Sequence, residues 1–203
     1  TLIPNIGDVN AKTLVNHFGN AEAIFHAHKK DLDKLEGIGT VRAASIKNFK
    51  DFSRAEEEIS FIKKYKITPL FLTDKNYPQR LLNCYDSPPL LYYKGNTDLN
   101  SAKIIAIVGT RNHNEYGKNI CEKLIGELIH EDVIIVSGLA FGIDSIAHKA
   151  SLKNNIQTIG VLAHGLDRVY PTQNASLAKQ MISCGGLLTE FKSNTNPDKQ
   201  NFP

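Results

Sequence analysis

Cysteine is scarce in this 203-residue chain, and the three present, Cys84, Cys121 and Cys184, stand far apart without a CxxC pair. An odd, scattered set of thiols argues against a disulfide framework and against structural zinc, and it fits a reducing cytoplasm. Long apolar runs are missing too. No segment offers the ~20 consecutive apolar residues of a membrane span, and Thr1-Leu2-Ile3-Pro4-Asn5 is not a basic stretch leading into an apolar one. A cytoplasmic protein without a membrane partner is expected, and the absence of an initial methionine leaves room for residues upstream. Excess charge is small as well, 24 Lys+Arg against 21 Asp+Glu for a net +3. Composition alone therefore does not announce a nucleic-acid partner, and any basic footprint has to be a local patch.

The common catalytic and nucleotide signatures are also absent. The loop 109–117, Gly-Thr-Arg-Asn-His-Asn-Glu-Tyr-Gly, has no glycine at 111 or 114 and so fails GxGxxG. It fails the P-loop pattern as well, because Lys118 is followed by Asn119 and the first glycine stands too far back. Ser137 follows Val136 rather than sitting in GxSxG, and the histidines show no HExxH or other ligand spacing. No catalytic residue, metal or cofactor is expected.

What is present divides into two textures. Residues 1–66 read as four or five short helices. Asp8 is placed to cap a run in which Val9, Leu14, Val15 and Phe18 share a face, and Gly19-Asn20 stops it. A run over 21–28 and a turn at 32–35 follow. Val41, Ala44, Ile46 and Phe49 then recur at helical spacing after Gly37-Ile38-Gly39, and a last helix spans 52–66 with Phe52, Ala55, Ile59 and Ile62 as its apolar positions. Ile6-Gly7 and Gly37-Ile38-Gly39 both fall between helices. They resemble the two turns of a tandem helix-hairpin-helix module, where a glycine lets backbone N–H groups approach a phosphate. The other reading is a pair of connecting turns in a packing domain, and the charge here, 11 Lys+Arg against 9 Asp+Glu, does not choose between them. Gly37, Gly39, Arg42, Lys47 and Arg54 are the residues of a possible second DNA contact, although a charge run is usually a solvated face.

Residues 67–203 form the second unit. Prolines and aromatics dominate 67–100, with short strands at 68–72 and 90–94, read as an extension on the edge of the sheet that follows. From Lys103 strands alternate with helices: strand 104–108, helix 116–130 with Ile120, Leu124, Leu128 and Ile129 on one side, strand 133–136, helix 145–153, strand 158–162, helix 174–183 and strand 187–189. Strands too apolar for one-sided burial predict a parallel sheet covered on both faces. The fold class is α/β, a Rossmann-like sheet preceded by a small all-helical helix-hairpin-helix or SAM-like domain.

Two strands break into glycine and hydroxyl residues just before a helix, the arrangement by which such sheets offer N–H groups to an anion. Gly109, Thr110 and Arg111 follow the first; Ser137, Gly138 and Phe141 follow the second, with Lys149 counted on the next helix. Arg111 suits bidentate phosphate contact. Phe141 is either a core residue or a loop aromatic that stacks a base. The competing explanation is that any strand-to-helix turn needs small residues. Asp144 is read as a helix cap within reach of His148, and Arg168 as a solvent-facing loop residue.

These pieces together resemble the DNA-processing protein A (DprA/Smf) family: Val108-Gly109-Thr110-Arg111 with Tyr116-Gly117, Ser137-Gly138-Leu139-Ala140 with Gly142-Ile143-Asp144 and Ala147-His148, Gly165-Leu166-Asp167 with Tyr170-Pro171 and Asn174, and Thr189-Glu190. Tyr77-Pro78, Pro88-Pro89-Leu90-Leu91-Tyr92, Gly95 and the front hairpins fit as well. The resemblance implies a non-catalytic, cytoplasmic single-stranded DNA-binding protein that protects incoming DNA during natural transformation and loads a RecA-class recombinase. It also implies a homodimer, and a chain continuing past Pro203 into further strands. Thr110 stands where serine is common. An enzymatic rival, a nucleotide phosphoribohydrolase of the lysine-decarboxylase-like (Lonely Guy) type, needs PGGxGTxxE, which Gly185-Gly186-Leu187-Leu188-Thr189-Glu190 only loosely echoes.

Overall fold

The computed structural model describes residues 2–101 and 103–202. The helical periodicity of the first third resolves into α1 (Asp8–Phe18), α2 (Ala21–His26), α3 (Lys29–Asp33), α4 (Gly39–Asn48) and α5 (Ser53–Tyr65). None is long enough to persist alone in water, so their stability comes from the shared core of Leu14, Ile24, Leu32, Ile38, Ala43 and Ile46. Asn20 caps α2 by accepting from the Ala23 N–H at 2.8 Å. The expected Asp8 cap is corrected: Gly7 occupies that position without a side-chain bond, and Asp8 lies inside the first turn, where its charge still favours the helix dipole.

Two apolar faces are also corrected. In α4 the buried residues are Ala43 and Ile46, while Val41 is 70% exposed. Phe52, just before α5, and Ile59 within it are exposed, and the buried residue of α5 is Glu58, drawn in by its bonds to Ser193.

The remaining chain builds one six-stranded sheet from β1 (Thr68–Phe71), β2 (Leu90–Gly95), β3 (Ile104–Ala106), β4 (Ile134–Ser137), β5 (Gln157–Val161) and β6 (Gly185–Thr189), in the order β1-β2-β6-β5-β4-β3. Strands β3 to β6 are parallel; β1 and β2 add antiparallel beside β6, as the edge extension predicts. Between the parallel strands run α6 (Glu115–Gly126), α7 (Ile143–Lys153) and α8 (Ala175–Met181). Relative to the sequence pattern β3, α6 and α8 are shorter, β4 and β5 are shifted by one residue, and α7 and β6 begin two residues earlier.

Both sheet faces are covered, though by different means. Ile135, on one side of β4, packs with Cys121, Ile125 and Ala147 of the helices. Ile134, one residue earlier and so on the other side, packs with Tyr77, Leu91 and Leu99, so the proline-rich segment also roofs the second face. Tyr77 is fully buried there and donates to the Pro88 carbonyl at 2.8 Å, and burial, with Cys84 and two carboxylates nearby, pushes its phenol up to about 12. The predicted face of α6 is corrected: Cys121 and Ile125 point inward, and Ile120 and Leu124, each one residue and so about 100° earlier around the helix, are exposed.

Two polar clasps join the helices to the sheet unit. The Lys12 ammonium of α1 donates to the Leu82 and Cys84 carbonyls at 3.1 and 2.6 Å and to Ser87 Oγ at 3.0 Å. Glu58 of α5 accepts from the Ser193 N–H and hydroxyl, and Arg54 bonds Glu58 at 2.8 Å and the Ser193 carbonyl at 2.6 Å.

Candidate nucleic-acid interface

The loops after β3 and β4 lie side by side because their strands are paired, Ala106 with Val136. They are built into each other. Ile143, at the start of α7, donates its N–H to the Thr110 carbonyl at 3.2 Å. Gly142 adopts φ +80, and a Cβ there would lie 2.1 Å from that same carbonyl. Only glycine permits both the conformation and the approach. Gly109 is equally confined, since a Cβ would lie 2.6 Å from the Ile143 side chain.

The loop 137–142 is further held from below. Leu139 takes a left-handed φ of 59 with its side chain fully buried, and Asn174 donates to its carbonyl at 2.9 Å. Asp144 accepts from the Ala140 N–H at 3.4 Å; it does not cap α7, whose N-cap is Gly142, and its other oxygen, buried, has no hydrogen-bond partner among the described residues. The expected Asp144–His148 pairing is likewise replaced. His148 is fully buried and pairs through Nδ1 with Thr158 Oγ1 at 2.7 Å, while burial lowers its pKa to about 4 against the opposing pull of the Ser137 carbonyl. It is neutral at pH 7 and ties α7 to β5.

The candidate residues have distinct fates. Arg111 is exposed, pairs with no carboxylate among the described residues, and lies with its guanidinium carbon 5.8 Å from the centre of the Phe202 ring, which in turn faces Tyr170 at 6.5 Å. Phe141 is 44% exposed, so it is not a core residue. Thr110 Oγ1 turns back on its own loop, accepting from the Asn112 N–H at 3.2 Å. Ser137 is buried and its hydroxyl donates to the Ile107 carbonyl at 2.7 Å, which makes it a brace between the two strand ends rather than a free donor. Gly138 sits over Asp144, 2.9 Å from a carboxylate oxygen if it carried a Cβ. Lys149 is exposed but about 9 Å along α7 from the rim, in a groove shared with Lys153, Gln173 and Gln180 of the α7–α8 side.

The second cluster is drawn inward. Arg42 donates to the Asn5 carbonyl and to the Gly37 carbonyl, 3.0 Å each, and so laces the two hairpin turns together. Lys47 donates to the Phe25 and Ala27 carbonyls at 2.6 and 2.9 Å, closing the end of α2. Arg54 belongs to the clasp with Glu58 and Ser193. Gly37 and Gly39 do take positive φ, 80 and 61, and Asn5 takes 65 in the matching place of the first turn, with Ile6 and Ile38 buried behind. Asparagine tolerates that region better than other side-chain-bearing residues, which explains how the first turn forms without glycine there.

Sequence reasoning gave no site role to Phe202 or to Tyr170, the latter noted only as part of a family motif. Each reads as an ordinary aromatic in a proline-containing stretch, and only the return of the chain end to the β3 loop brings them beside Arg111. Arg168 is a loop residue as expected, paired with Asp167 at 2.8 Å. No group of three or more metal-capable side chains, and no helix long and apolar enough to cross a membrane, occurs among the described residues.

A mostly parallel α/β sheet with interlocked loops at adjacent carboxyl ends, carried beside a tandem hairpin module, defines a Rossmann-like protein with a helix-hairpin-helix-like front unit. Comparison narrows it. Residues 68–203 match the family model described as DNA recombination-mediator protein A, and residues 2–59 match a helix-hairpin-helix motif. The chain belongs to the DNA recombination-mediator protein A family. It is 37% identical to DNA processing protein DprA of Bacillus subtilis over 80% of this chain and 56% of that one, and 35% identical to protein Smf of Synechocystis over 99% of this chain and 52% of that one. It thus spans about half the length of these curated relatives. Among solved structures it is similar to DNA processing protein A from Streptococcus pneumoniae, with TM-score 0.65 and 31% identity over 98% of this chain and 72% of that one. It is also similar to DNA processing protein A from Helicobacter pylori, a structure that addresses that protein's single-stranded DNA binding mode, with TM-score 0.58 and 31% identity over 68% of this chain and 61% of that one.

Proposed function

We propose that this protein binds single-stranded DNA at the rim formed by the loops after β3 and β4, protecting incoming DNA and loading a RecA-class recombinase during natural transformation. The observation that carries the reading is Arg111: a guanidinium free of carboxylates, held over an aromatic ring beside two glycine-built loops. Cations and exposed aromatic faces side by side are what a single strand requires, one for phosphates and the other for bases, each stacked base contributing roughly 1–3 kcal/mol. Phe141, Phe202 and Tyr170 supply the aromatic faces. Gly109, Gly138 and Gly142 let the two loops pack closely against Ile143, Asp144 and the Thr110 carbonyl, and Thr110 and Ser137 hold those loops in shape.

The protein acts without catalysis in the cytoplasm, a location consistent with three free thiols. Recombinase loading and a homodimeric state rest on family membership. Arg42, Lys47 and Arg54 of the helical unit read as packing and positioning residues rather than as a second DNA contact, because all three donate to the protein's own carbonyls and carboxylates.

The test is Arg111→Ala, measured by fluorescence anisotropy with oligo-dT at several salt concentrations. Affinity should fall for every sequence, and the slope of log K against log salt should flatten by about 0.7, the share of one single-strand phosphate contact. A folded variant with unchanged affinity and slope overturns the assignment.

A further inference from the structure

At the far end of the sheet from the rim, an exposed tyrosine is ringed by lysines. Tyr65, the last residue of α5, is 44% exposed and rests on Phe61 with ring centroids 4.7 Å apart. Lys64 Nζ lies 5.4 Å from the centre of the Tyr65 ring and Lys94 Nζ, from β2, lies 5.8 Å from it. Lys66 follows immediately, in a left-handed conformation with φ 52 where glycine or asparagine is the usual choice. Because Thr68 pairs with Tyr93, the chain passes from Lys66 into β1 directly beside Lys94.

Lys64, Lys66 and Lys94 form no ion pair among the described residues, as is true of most lysines of this chain. Two further features set this patch apart from ordinary surface lysines. The cations come from two elements, α5 and β2, and converge on one aromatic ring. The ring itself is backed by Phe61, so it is held as a platform.

We propose that this patch is a second contact for single-stranded DNA, with Lys64, Lys66 and Lys94 on phosphates and Tyr65 beneath a base. The combination of unpaired cations with an exposed aromatic is the recognition chemistry of a flexible single strand; a duplex offers its phosphates but keeps its base faces stacked inside. The location suits a continuation of the strand bound at the rim. Lys94 and Gly95 lie at the amino end of β6, Gly95 opposite Gly186, while the rim is at the carboxyl ends of β3 and β4. Three strand spacings and one strand length separate the two places by roughly 20 Å, so only a strand long enough to leave the rim and wrap the sheet reaches both. This inference rests on the rim reading and extends it.

The experiment compares oligo-dT of about 6 and about 30 nucleotides on the intact chain, with Lys64→Glu/Lys94→Glu and, separately, Arg111→Ala. The patch variant should bind the short oligomer as the parent does and lose about tenfold for the long one, with its long-strand salt slope reduced by about 0.7 per lysine. Arg111→Ala should weaken both lengths. A second readout is photocross-linking of a long strand substituted with 5-iododeoxyuridine, which should place adducts on Tyr65. Long-strand affinity equal to the parent's, or cross-links that never include Tyr65, overturns the second contact while an Arg111→Ala defect leaves the rim standing. Loss at both lengths alike in the patch variant also overturns it, and an Arg111→Ala variant that binds normally removes the rim beneath it.

Discussion

Glu58 and Ser193, 135 residues apart in sequence, meet in a buried three-bond contact: the carboxylate accepts from the Ser193 N–H at 3.0 Å and 3.1 Å, one distance to each oxygen, and from its hydroxyl at 2.6 Å. The neighbouring Asn194 N–H is held by Asp167 at 2.9 Å, and the Thr195 carbonyl accepts from Gly165. One carboxylate of the helical unit thus anchors the segment through which the chain passes on its way back to Arg111.

Replacing Glu58 with alanine leaves Arg54 and the Ser193 N–H without their shared partner. Removing one member of a buried pair costs on the order of 3 kcal/mol, and that loss should appear in urea unfolding. Ser193→Ala, which deletes one bond only, should cost nearer 1 kcal/mol. Equal small losses in both variants would show the contact to be solvated.

The glycines of the rim should differ in tolerance. Gly142→Ala meets a backbone carbonyl at 2.1 Å and a positive φ, so the loop has to open; Gly138→Ala meets only a carboxylate oxygen at 2.9 Å, which can shift. Thermal unfolding should show a large fall for the first and a small one for the second, and oligo-dT binding should drop with the first even where folding is rescued by low temperature. The opposite ranking would disprove the interlocked loop geometry.

His148 makes stability depend on pH with a definite sign. Its folded pKa, about 4, lies below the ordinary histidine value, so between about pH 6.5 and 4 the unfolded chain binds a proton that the folded chain refuses. Stability is therefore complete above that window and falls on acidification through it, by about 3 kcal/mol in all. Unfolding free energy measured from pH 7 to pH 4.5 should fall in the parent and fall less in His148→Gln. Parallel profiles would show that the proton is taken up elsewhere.

Lys12 should govern the 82–87 segment. Lys12→Met removes a charged donor from the Leu82 and Cys84 carbonyls and from Ser87, a loss of about 2 kcal/mol. Amide exchange in that segment should accelerate while the helical core around Leu32 and Ile46 stays protected. Uniform acceleration would mean that the whole protein, not the clasp, had been weakened.

The parallel strands were legible because Ile104-Ile105 and Ile134-Ile135 are apolar on consecutive residues, a pattern that only two-sided burial satisfies. The glycine turns after β3 and β4 were legible as strand-to-helix turns, but what confines Gly109 and Gly142, the Ile143 side chain and the Thr110 carbonyl, comes from the other loop and was not. The α6 face was misjudged in part because Ile120 and Leu124 continue toward Leu128 as good an apolar stripe as Cys121 and Ile125 do, and periodicity cannot say which stripe the neighbour covers; of the predicted face only Leu128 packs against the core. The partners of the basic cluster were hidden in the same way, since Arg42, Lys47 and Arg54 look identical in sequence whether they face solvent or an unsatisfied carbonyl.

Element types and their order along the chain followed from the string of residues, because each depends on neighbours a few positions away. The partners of charged side chains did not. Arg54 is tied to Ser193 and Arg111 is left open because the fold brings a carboxylate and a carbonyl to one and an aromatic ring to the other. A guanidinium takes whatever acceptor lies within about 3 Å, and those acceptors come from segments far apart in the chain, whose meeting is set only when the sheet and helices have packed.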